Sequence, residues 1–242
     1  MNDNPVQNLS RQEETYKEKK SELLSKLPAQ EVAEAPFVFS DRQLVTNILT
    51  KIDMFRQVLD VQGAIVECGV HKANSLFTYY HLSTILEPYA INRKIIGFDT
   101  FEGFPSVSEN DPLGKEGYLS DTNFDVIKKM GELHDLNRAV SHVEKLELIK
   151  GDANETIPKY VADNPHLIIS LLYLDFDIYE PTKQALKYLA PLVPKGGLIG
   201  FDEINCKKWQ GETIALKEML DLGTLGLKKF YYDPWVSYYI KD

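Results

Sequence analysis

Two acidic pairs are the residues of this sequence best suited to chemistry. Asp175 and Asp177 follow one long apolar run, and Asp202 and Glu203 follow the next. Buried carboxylates are costly unless they meet cations or hydrogen-bond donors. If the two runs are neighbouring parallel strands, these carboxylates converge, and a set of oxygen ligands favours Mg²⁺, Ca²⁺ or Mn²⁺. Alternatively, Asp177 and Glu203 cap helices or face water.

A further acidic residue ends the first apolar run and opens a turn. Glu67 begins the pattern Glu-x-Gly-x-x-x-Ala-x-Ser, which includes Gly69 and Ser75. This is not the G-x-G-x-x-G spacing of a dinucleotide site, so NAD is disfavoured. An acidic strand end followed by an electropositive helix start suits a zwitterionic amino acid. An ordinary turn between a strand and a helix is the alternative.

Two more runs end in residues that suit a nucleoside. Asp99 ends the second run, at the position that hydrogen-bonds ribose hydroxyls in nucleoside-binding α/β domains. Phe101 follows closely, where its ring can pack on an adenine. Asp152 and Ala153 end the third run, where a carboxylate can meet an adenine amino group. Together these strand ends predict a nucleoside pocket.

The elements that must position these residues alternate along the chain. The predicted strands cover 64–67, 94–99, 146–152, 167–175 and 198–203. The helical patterns between and after them cover 75–86, 124–133, 155–161, 182–189 and 212–220. Such alternation predicts βαβ units, whose right-handed crossovers bring the carboxyl ends of all strands to one edge. Ligands bind at that edge in open α/β sheets.

The end of the chain has a different pattern. Residues 227–232 and 236–240 are predicted strands on either side of a turn, which indicates an antiparallel hairpin. We therefore predict an α/β fold with a doubly wound, mostly parallel seven-stranded sheet and a C-terminal hairpin. This Rossmann-like arrangement resembles the fold of class I methyltransferases.

The beginning of the chain is polar. Residues 1–40 are predicted to be a helical extension with disorder in the first ten residues and a helix over 12–27. Asp41 is predicted to cap a helix that runs to about residue 59. The predicted α/β domain covers residues 41–242.

Composition excludes several classes of partner. The chain has 242 residues and a net charge of −9, which disfavours binding to nucleic-acid phosphates. Its two cysteines favour neither a disulfide framework nor a zinc site. A polar N-terminus and the lack of a long apolar run predict a cytoplasmic protein without a signal peptide or membrane anchor.

Three segments resemble motifs of one known family. They are residues 63–70, residues 98–105, and residues 174–182 with the pattern Leu-Asp-x-Asp-x-Tyr-x-x-Thr. Over residues 45–220 the chain is similar to the macrocin O-methyltransferase family, whose members methylate sugar hydroxyls on macrolides, aminocoumarins or nucleotide-linked sugars. The resemblance implies S-adenosylmethionine and Mg²⁺ as cofactors, a sugar or glycoside as acceptor, and a homodimer.

The resemblance also implies roles for individual residues. Asp175, Asp202 and Glu203 would hold the metal, which lowers the pKa of a sugar hydroxyl, and Asp177 would remove its proton. The implied cofactor-binding residues are Glu67, Gly69, Ser75, Asp99, Thr100, Phe101, Asp152, Ala153 and Asp175. The chain departs from the family by having Asp202-Glu203 where Asp-Asp is usual, and Ala73-Asn74-Ser75 where Gly-Gly-Ser is usual.

Other interpretations stay open at this point. The loop over residues 102–121 is predicted to be a lid over cofactor and acceptor, or else a disordered surface loop. A catechol-type metal-dependent O-methyltransferase has the same fold but usually carries a lysine where this chain has Ile178. A non-catalytic nucleoside-binding scaffold is the remaining alternative.

Overall fold

The computed structural model describes residues 11–242, and the chain divides into two compact units between Asn47 and Ile48. The smaller unit contains α1 (Arg11–Leu24), α2 (Ala29–Glu34), α3 (Pro36–Phe39) and the start of α4 (Arg42–Arg56). Helix α1 corresponds to the helix predicted over 12–27. The disorder predicted for the first ten residues lies outside the described residues.

The predicted N-cap of α4 is present. The backbone N–H of Leu44 donates to Oδ1 of Asp41 at 2.9 Å, which satisfies one of the unpaired donors of the first turn. The helix ends at Arg56, slightly before the predicted end near residue 59.

The larger unit alternates strands and helices as predicted. Its elements are β1 (Ala64–Cys68), α5 (Asn74–Leu86), β2 (Ile95–Asp99), α6 (Phe124–Asp135), β3 (Leu146–Lys150), α7 (Ala153–Asp163), β4 (Ile169–Leu174), α8 (Tyr179–Tyr188), β5 (Leu198–Phe201), α9 (Gly211–Met219), β6 (Lys228–Lys229) and β7 (Ser237–Ile240). A short 3₁₀ helix, Ala190–Leu192, follows α8. The predicted strands and helices are therefore confirmed, with small shifts at their ends except at the first strand of the hairpin.

These strands form one seven-stranded sheet in the order β3-β2-β1-β4-β5-β7-β6. The first five strands pair in parallel, whereas β7 is antiparallel to both β5 and β6. The chain crosses to one side of β1 and then to the other, which confirms the doubly wound fold and its antiparallel end. Apolar clusters cover both faces of the sheet.

The first strand of the hairpin is much shorter than predicted. It ends at Lys229, and Tyr231 beyond it is 97% exposed. The chain leaves the sheet because Asp233 is held elsewhere: its Oδ2 accepts a hydrogen bond from the Thr50 hydroxyl of α4 at 2.7 Å. Its Oδ1 accepts the backbone N–H of Trp235 at 3.0 Å, which closes the turn.

The carboxyl ends of the central strands are kept in register beyond the strands themselves. The N–H of Asp175 donates to the carbonyl of Cys68 at 2.8 Å, and the N–H of Asp202 donates to the carbonyl of Leu174 at 3.0 Å. The acidic residues that follow β4 and β5 therefore start side by side. Among residues 11–242, no helix has both the length and the apolar composition needed to span a bilayer.

Candidate active site

A pocket opens at the carboxyl edge of the sheet, among the loops that follow β1 to β4. Seven of the predicted site residues line it: Gly69, Asp99, Thr100, Asp152, Ala153, Asp175 and Asp177. Residues of the loop over 102–121 line the same pocket, among them Phe104 and Leu119. The pocket thus brings the proposed cofactor residues together with the proposed base.

The other predicted residues lie behind or beside this lining. Phe101 is buried, and its ring packs against Phe124 with centroids 4.9 Å apart. Glu67 is 1% exposed within β1 and is hydrogen-bonded to the hydroxyl of Ser75. The remaining two, Asp202 and Glu203, follow β5.

Asp99 organises the turn after β1. Its Oδ2 accepts the backbone N–H groups of Val70 at 2.7 Å and His71 at 2.8 Å. Its Oδ1 accepts the N–H of Phe101 at 2.6 Å. The carboxylate therefore fixes two loops of the pocket as well as lining it.

Gly69 is required by the protein's own backbone. Its φ is +90°, and a Cβ at this position would lie 1.9 Å from the carbonyl oxygen of Asp175. A glycine at such a turn commonly makes room for a ligand. The structure shows instead that the missing side chain allows the loops after β1 and β4 to touch.

Burial makes Glu67 difficult to ionise. Loss of hydration raises the pKa of Glu67 to about 8, partly offset by the charge of Lys51. Its Oε2 is buried without a hydrogen-bond partner in the structure. A carboxylate in this state provides a strong acceptor for a cationic group that reaches it.

Burial and neighbouring negative charges raise the pKa values of Asp175, Asp177 and Glu203. Burial, followed by the charge of Asp202, raises the pKa of Asp177 to about 7. Burial, followed by the charges of Asp177 and Asp202, raises the pKa of Glu203 to about 10. The same causes, in the order burial, Asp202 and Asp177, hold the pKa of Asp175 well above its usual range.

Glu212, at the start of α9, is a further member that the sequence pattern did not reveal. Its Oε2 accepts the backbone N–H of Glu203 at 3.2 Å, and its carboxylate also accepts the N–H of Asp177. The side chain is fully buried. An acidic residue in the first turn of a helix is ordinary, so its position in the sequence carried no signal.

The donor chemistry of this cluster suits a hard cation. Oε2 of Glu203 and Oε1 of Glu212 are buried without a hydrogen-bond partner, in a region where several carboxylates repel one another. Oxygen-only donors with excess negative charge fit Mg²⁺, Ca²⁺ or Mn²⁺. Within residues 11–242, however, no three histidine, cysteine or acidic side chains are gathered closely enough to hold a metal ion as they stand.

The loop over residues 102–121 is folded against the site rather than free on the surface. Asp111 is buried, and its Oδ1 accepts the N–H of Tyr179 at the start of α8 at 2.9 Å. Asp121 pairs with Nε2 of His71 at 2.8 Å and with Nζ of Lys72 at 2.6 Å. These contacts do not support the alternative of a simple disordered loop.

An aromatic cluster joins this loop to the segment after β5. Tyr118 stacks on Trp209 with ring centroids 6.0 Å apart, and Phe104 contacts both rings. Trp209 is 3% exposed, so this residue after β5 is buried within the cluster. Burial, followed by the charges of Asp177, Asp121 and Glu203, raises the pKa of Tyr118. Its hydroxyl therefore lies near the acidic cluster.

The sequence profile described as macrocin-O-methyltransferase (TylF) matches residues 42–219, which is most of the chain. The chain belongs to the macrocin-O-methyltransferase family. Its members are S-adenosylmethionine-dependent O-methyltransferases, so the chain is an enzyme of that class, as the motifs predicted. A comparison with curated protein sequences gives no match.

Solved structures agree with this family assignment. The macrocin-O-methyltransferase fold is shared with the calicheamicin methyltransferase CalS11, which is 34% identical in sequence with a TM-score of 0.91. The match covers 98% of this chain and 95% of the CalS11 chain. An apo structure of CalS11, described as a TDP-rhamnose 3′-O-methyltransferase, is 32% identical with a TM-score of 0.83 and 99% coverage of both chains. The O-methyltransferase NovP is 20% identical with a TM-score of 0.65 over 80% of this chain and 78% of its own, which supports the fold alone.

Proposed function

We propose that this O-methyltransferase transfers the methyl group of S-adenosylmethionine to a hydroxyl of a sugar, in a reaction that uses a divalent metal such as Mg²⁺. The sugar is nucleotide-linked or part of a glycosylated metabolite. The observation that carries the proposal is the buried carboxylate cluster beside the pocket, with Asp177 on the pocket wall. The sugar class is supported by the likeness to CalS11, described as a TDP-rhamnose 3′-O-methyltransferase.

The cofactor would lie along the loops that follow β1, β2 and β3. In this arrangement Glu67, whose Oε2 has no hydrogen-bond partner, would bind the positively charged methionine end of the cofactor. Gly69 and Ser75 would lie beside this end. Asp99 and Thr100 would bind the ribose, and Asp152 and Ala153 the adenine. Phe101 would support the adenine site from behind, since its ring is buried against Phe124.

The metal would be held by Asp175, Asp202 and Glu203, because carboxylate oxygens are the ligands that Mg²⁺ prefers and Oε2 of Glu203 is buried without a hydrogen-bond partner. When bound, such a cation would act as a Lewis acid that lowers the pKa of a sugar hydroxyl. Glu212 would act through the backbone, because it accepts the N–H groups of Glu203 and Asp177.

Asp177 would be the general base. A base works best when its pKa lies near the working pH, and burial raises the pKa of Asp177 to about 7. Its carboxylate takes the proton of the acceptor hydroxyl as the oxygen attacks the methyl carbon. S-adenosylmethionine would supply the methyl group, and the electron pair of its carbon–sulfur bond would stay on the sulfur of the departing S-adenosylhomocysteine. Positioning and electrostatics would supply most of the rate gain.

The acceptor would lie between Asp177 and the aromatic cluster of Phe104, Tyr118 and Trp209. The C–H faces of a sugar pack well on aromatic rings. Burial, followed by charges that include those of Asp177 and Glu203, raises the pKa of the Tyr118 hydroxyl. In this proposal residues 41–242 are the catalytic domain and residues 1–40 an extension. A homodimer remains a prediction from the family resemblance, and a cytoplasmic location remains a prediction from the sequence.

Calorimetric titration and an acceptor panel test this function. S-adenosylmethionine should bind to the purified protein, and labelled methyl should move to TDP-linked sugars only when Mg²⁺ is present. Transfer to catechols instead of sugars would favour the catechol-type enzyme, although this chain has Ile178 where such enzymes usually have a lysine. Cofactor binding without transfer to any acceptor would favour the scaffold, and full activity in a chelator would refute the metal requirement.

A further inference from the structure

Lys51 and Tyr173 form a buried chain of hydrogen bonds that ends on Asp202. Lys51 lies in α4, is fully buried, and its Nζ donates to the Tyr173 hydroxyl at 2.6 Å. Tyr173 lies near the end of β4, is also fully buried, and its hydroxyl is bonded to Oδ1 of Asp202. Neither Lys51 nor Tyr173 lines the pocket, and neither has a role in the reaction proposed above.

The direction of both hydrogen bonds is fixed by chemistry. An ammonium group can only donate, so the Tyr173 oxygen accepts from Lys51. The single phenolic hydrogen must then be donated to Oδ1 of Asp202. This contact fixes the orientation of the Asp202 carboxylate and leaves Oδ2 as its other oxygen.

We propose that Lys51 and Tyr173 are positioning residues that hold Asp202 in place to bind the divalent metal. The inference rests on the proposed metal-dependent function. Partners that orient a metal ligand through a second hydrogen bond commonly change metal affinity by about 10–100-fold when they are removed. Tyr173 would be such a partner, and Lys51 would fix the phenol from the opposite side.

The charge of Lys51 supports the same role. It partly offsets the increase that burial causes in the pKa of Glu67, at the proposed cofactor site, and of Asp175, at the proposed metal site. Its Nζ also lies 3.8 Å from the ring centroid of Tyr173, which gives a cation–π contact. One buried ammonium group thus compensates acidic side chains on both sides of Tyr173.

Helix α4 is anchored on both sides of Lys51. Thr50 donates to Oδ2 of Asp233 at 2.7 Å, and Asp53 accepts a hydrogen bond from the Tyr232 hydroxyl at 2.5 Å. These contacts tie the helix to the C-terminal hairpin and stop Lys51 from moving away. A rigid support of this kind is what a metal ligand needs in order to keep its geometry.

The test compares Tyr173→Phe with the matched control Tyr160→Phe. Each variant loses one tyrosine–carboxylate hydrogen bond, but Tyr160 donates to Glu147 at 2.9 Å, whereas Tyr173 contacts the proposed metal ligand. Mn²⁺ binding is measured by electron paramagnetic resonance in the presence of S-adenosylhomocysteine, with calorimetry of S-adenosylhomocysteine in parallel. Lys51→Met is a second variant, and circular dichroism checks that each protein is folded.

We expect Tyr173→Phe to weaken Mn²⁺ binding by about 10–100-fold, to leave S-adenosylhomocysteine affinity unchanged, and to alter the Mn²⁺ spectrum. Tyr160→Phe should bind Mn²⁺ like the unaltered enzyme. Unchanged Mn²⁺ binding in Tyr173→Phe, or an equal loss in Tyr160→Phe, would overturn the positioning role alone. Absence of Mn²⁺ binding in the unaltered enzyme would overturn the metal-dependent function as well.

Discussion

Gly69 and Asp175 are in direct backbone contact where β1 and β4 end. A Cβ on Gly69 would lie 1.9 Å from the Asp175 carbonyl oxygen, and the φ of Gly69 is +90°. The neighbouring ladder bond, from Asp175 N–H to the Cys68 carbonyl, is 2.8 Å long. This contact fixes the turn of the proposed cofactor site against the first acidic residue of the proposed metal site.

Gly69→Ala should therefore be strongly destabilising. Overpacking costs about 1–3 kcal/mol, and a left-handed backbone costs about 1–2 kcal/mol in an alanine. Urea unfolding should show a loss of roughly 2–5 kcal/mol from these two causes. Gly226→Ala is the control, because a Cβ at Gly226 would meet nothing within 4 Å. Equal, small losses in both variants would mean that the contact is not tight.

Glu212→Ala should impair the site without removing any residue from the pocket. It leaves the buried N–H groups of Glu203 and Asp177 without their acceptor, at a cost of about 1–3 kcal/mol for each group left unpaired. We expect a lower Tm and a larger fall in kcat than rise in KM for the cofactor. Glu155→Ala, in the first turn of α7 and exposed, is the matched control and should change neither value.

The metal-free protein should lose stability as the pH rises from about 5 to about 8. The pKa of Asp177 is raised to about 7 and that of Glu67 to about 8, so both groups hold protons in the folded state that they lose when unfolded. The folded state then binds more protons than the unfolded state, and its stability falls with increasing pH. Thermal melting should show this slope, and Glu67→Gln should flatten it. A slope unchanged by that variant would contradict the assignment.

Asp121→Asn should loosen the loop that covers the pocket. Hydrogen bonds from His71 and Lys72 lower the pKa of Asp121 to about 2, so its carboxylate is charged at neutral pH. Exposed ion pairs contribute about 0.2–1 kcal/mol, so cofactor affinity should fall by no more than roughly fivefold while Tm stays the same. Calorimetry with S-adenosylhomocysteine measures this. Asp125→Asn, at an exposed position, serves as the control. Equal cofactor affinities in the two variants would show that the contacts of Asp121 do not support cofactor binding.

The sequence predicted the elements and the acidic cluster because both leave local patterns. Apolar runs ending in acids mark β1 to β5, and parallel pairing alone brings Asp175 and Asp202 together. Lys51 escaped notice because a lysine in a polar helix usually faces water. Trp209 and Tyr118 meet only through folding, so nothing near either residue predicted their stacking.

The short first strand of the hairpin has a similar origin. Its apolar and aromatic residues favour an extended strand, but the contact between Asp233 and Thr50 draws the chain away from the sheet. A hydrogen bond between residues so distant in the sequence has no local signature. What could not be predicted is therefore set by long-range polar contacts.

The most direct test of the account is single-turnover methyl transfer by Asp177→Asn with saturating cofactor and Mg²⁺. Loss of a general base slows such a reaction by about 10²–10⁴-fold. We expect the rate of methyl transfer to fall within that range. Binding of S-adenosylhomocysteine should be unchanged, because the substitution keeps the shape of the side chain. Near-normal turnover would contradict the role of Asp177 and with it the proposed arrangement of the site.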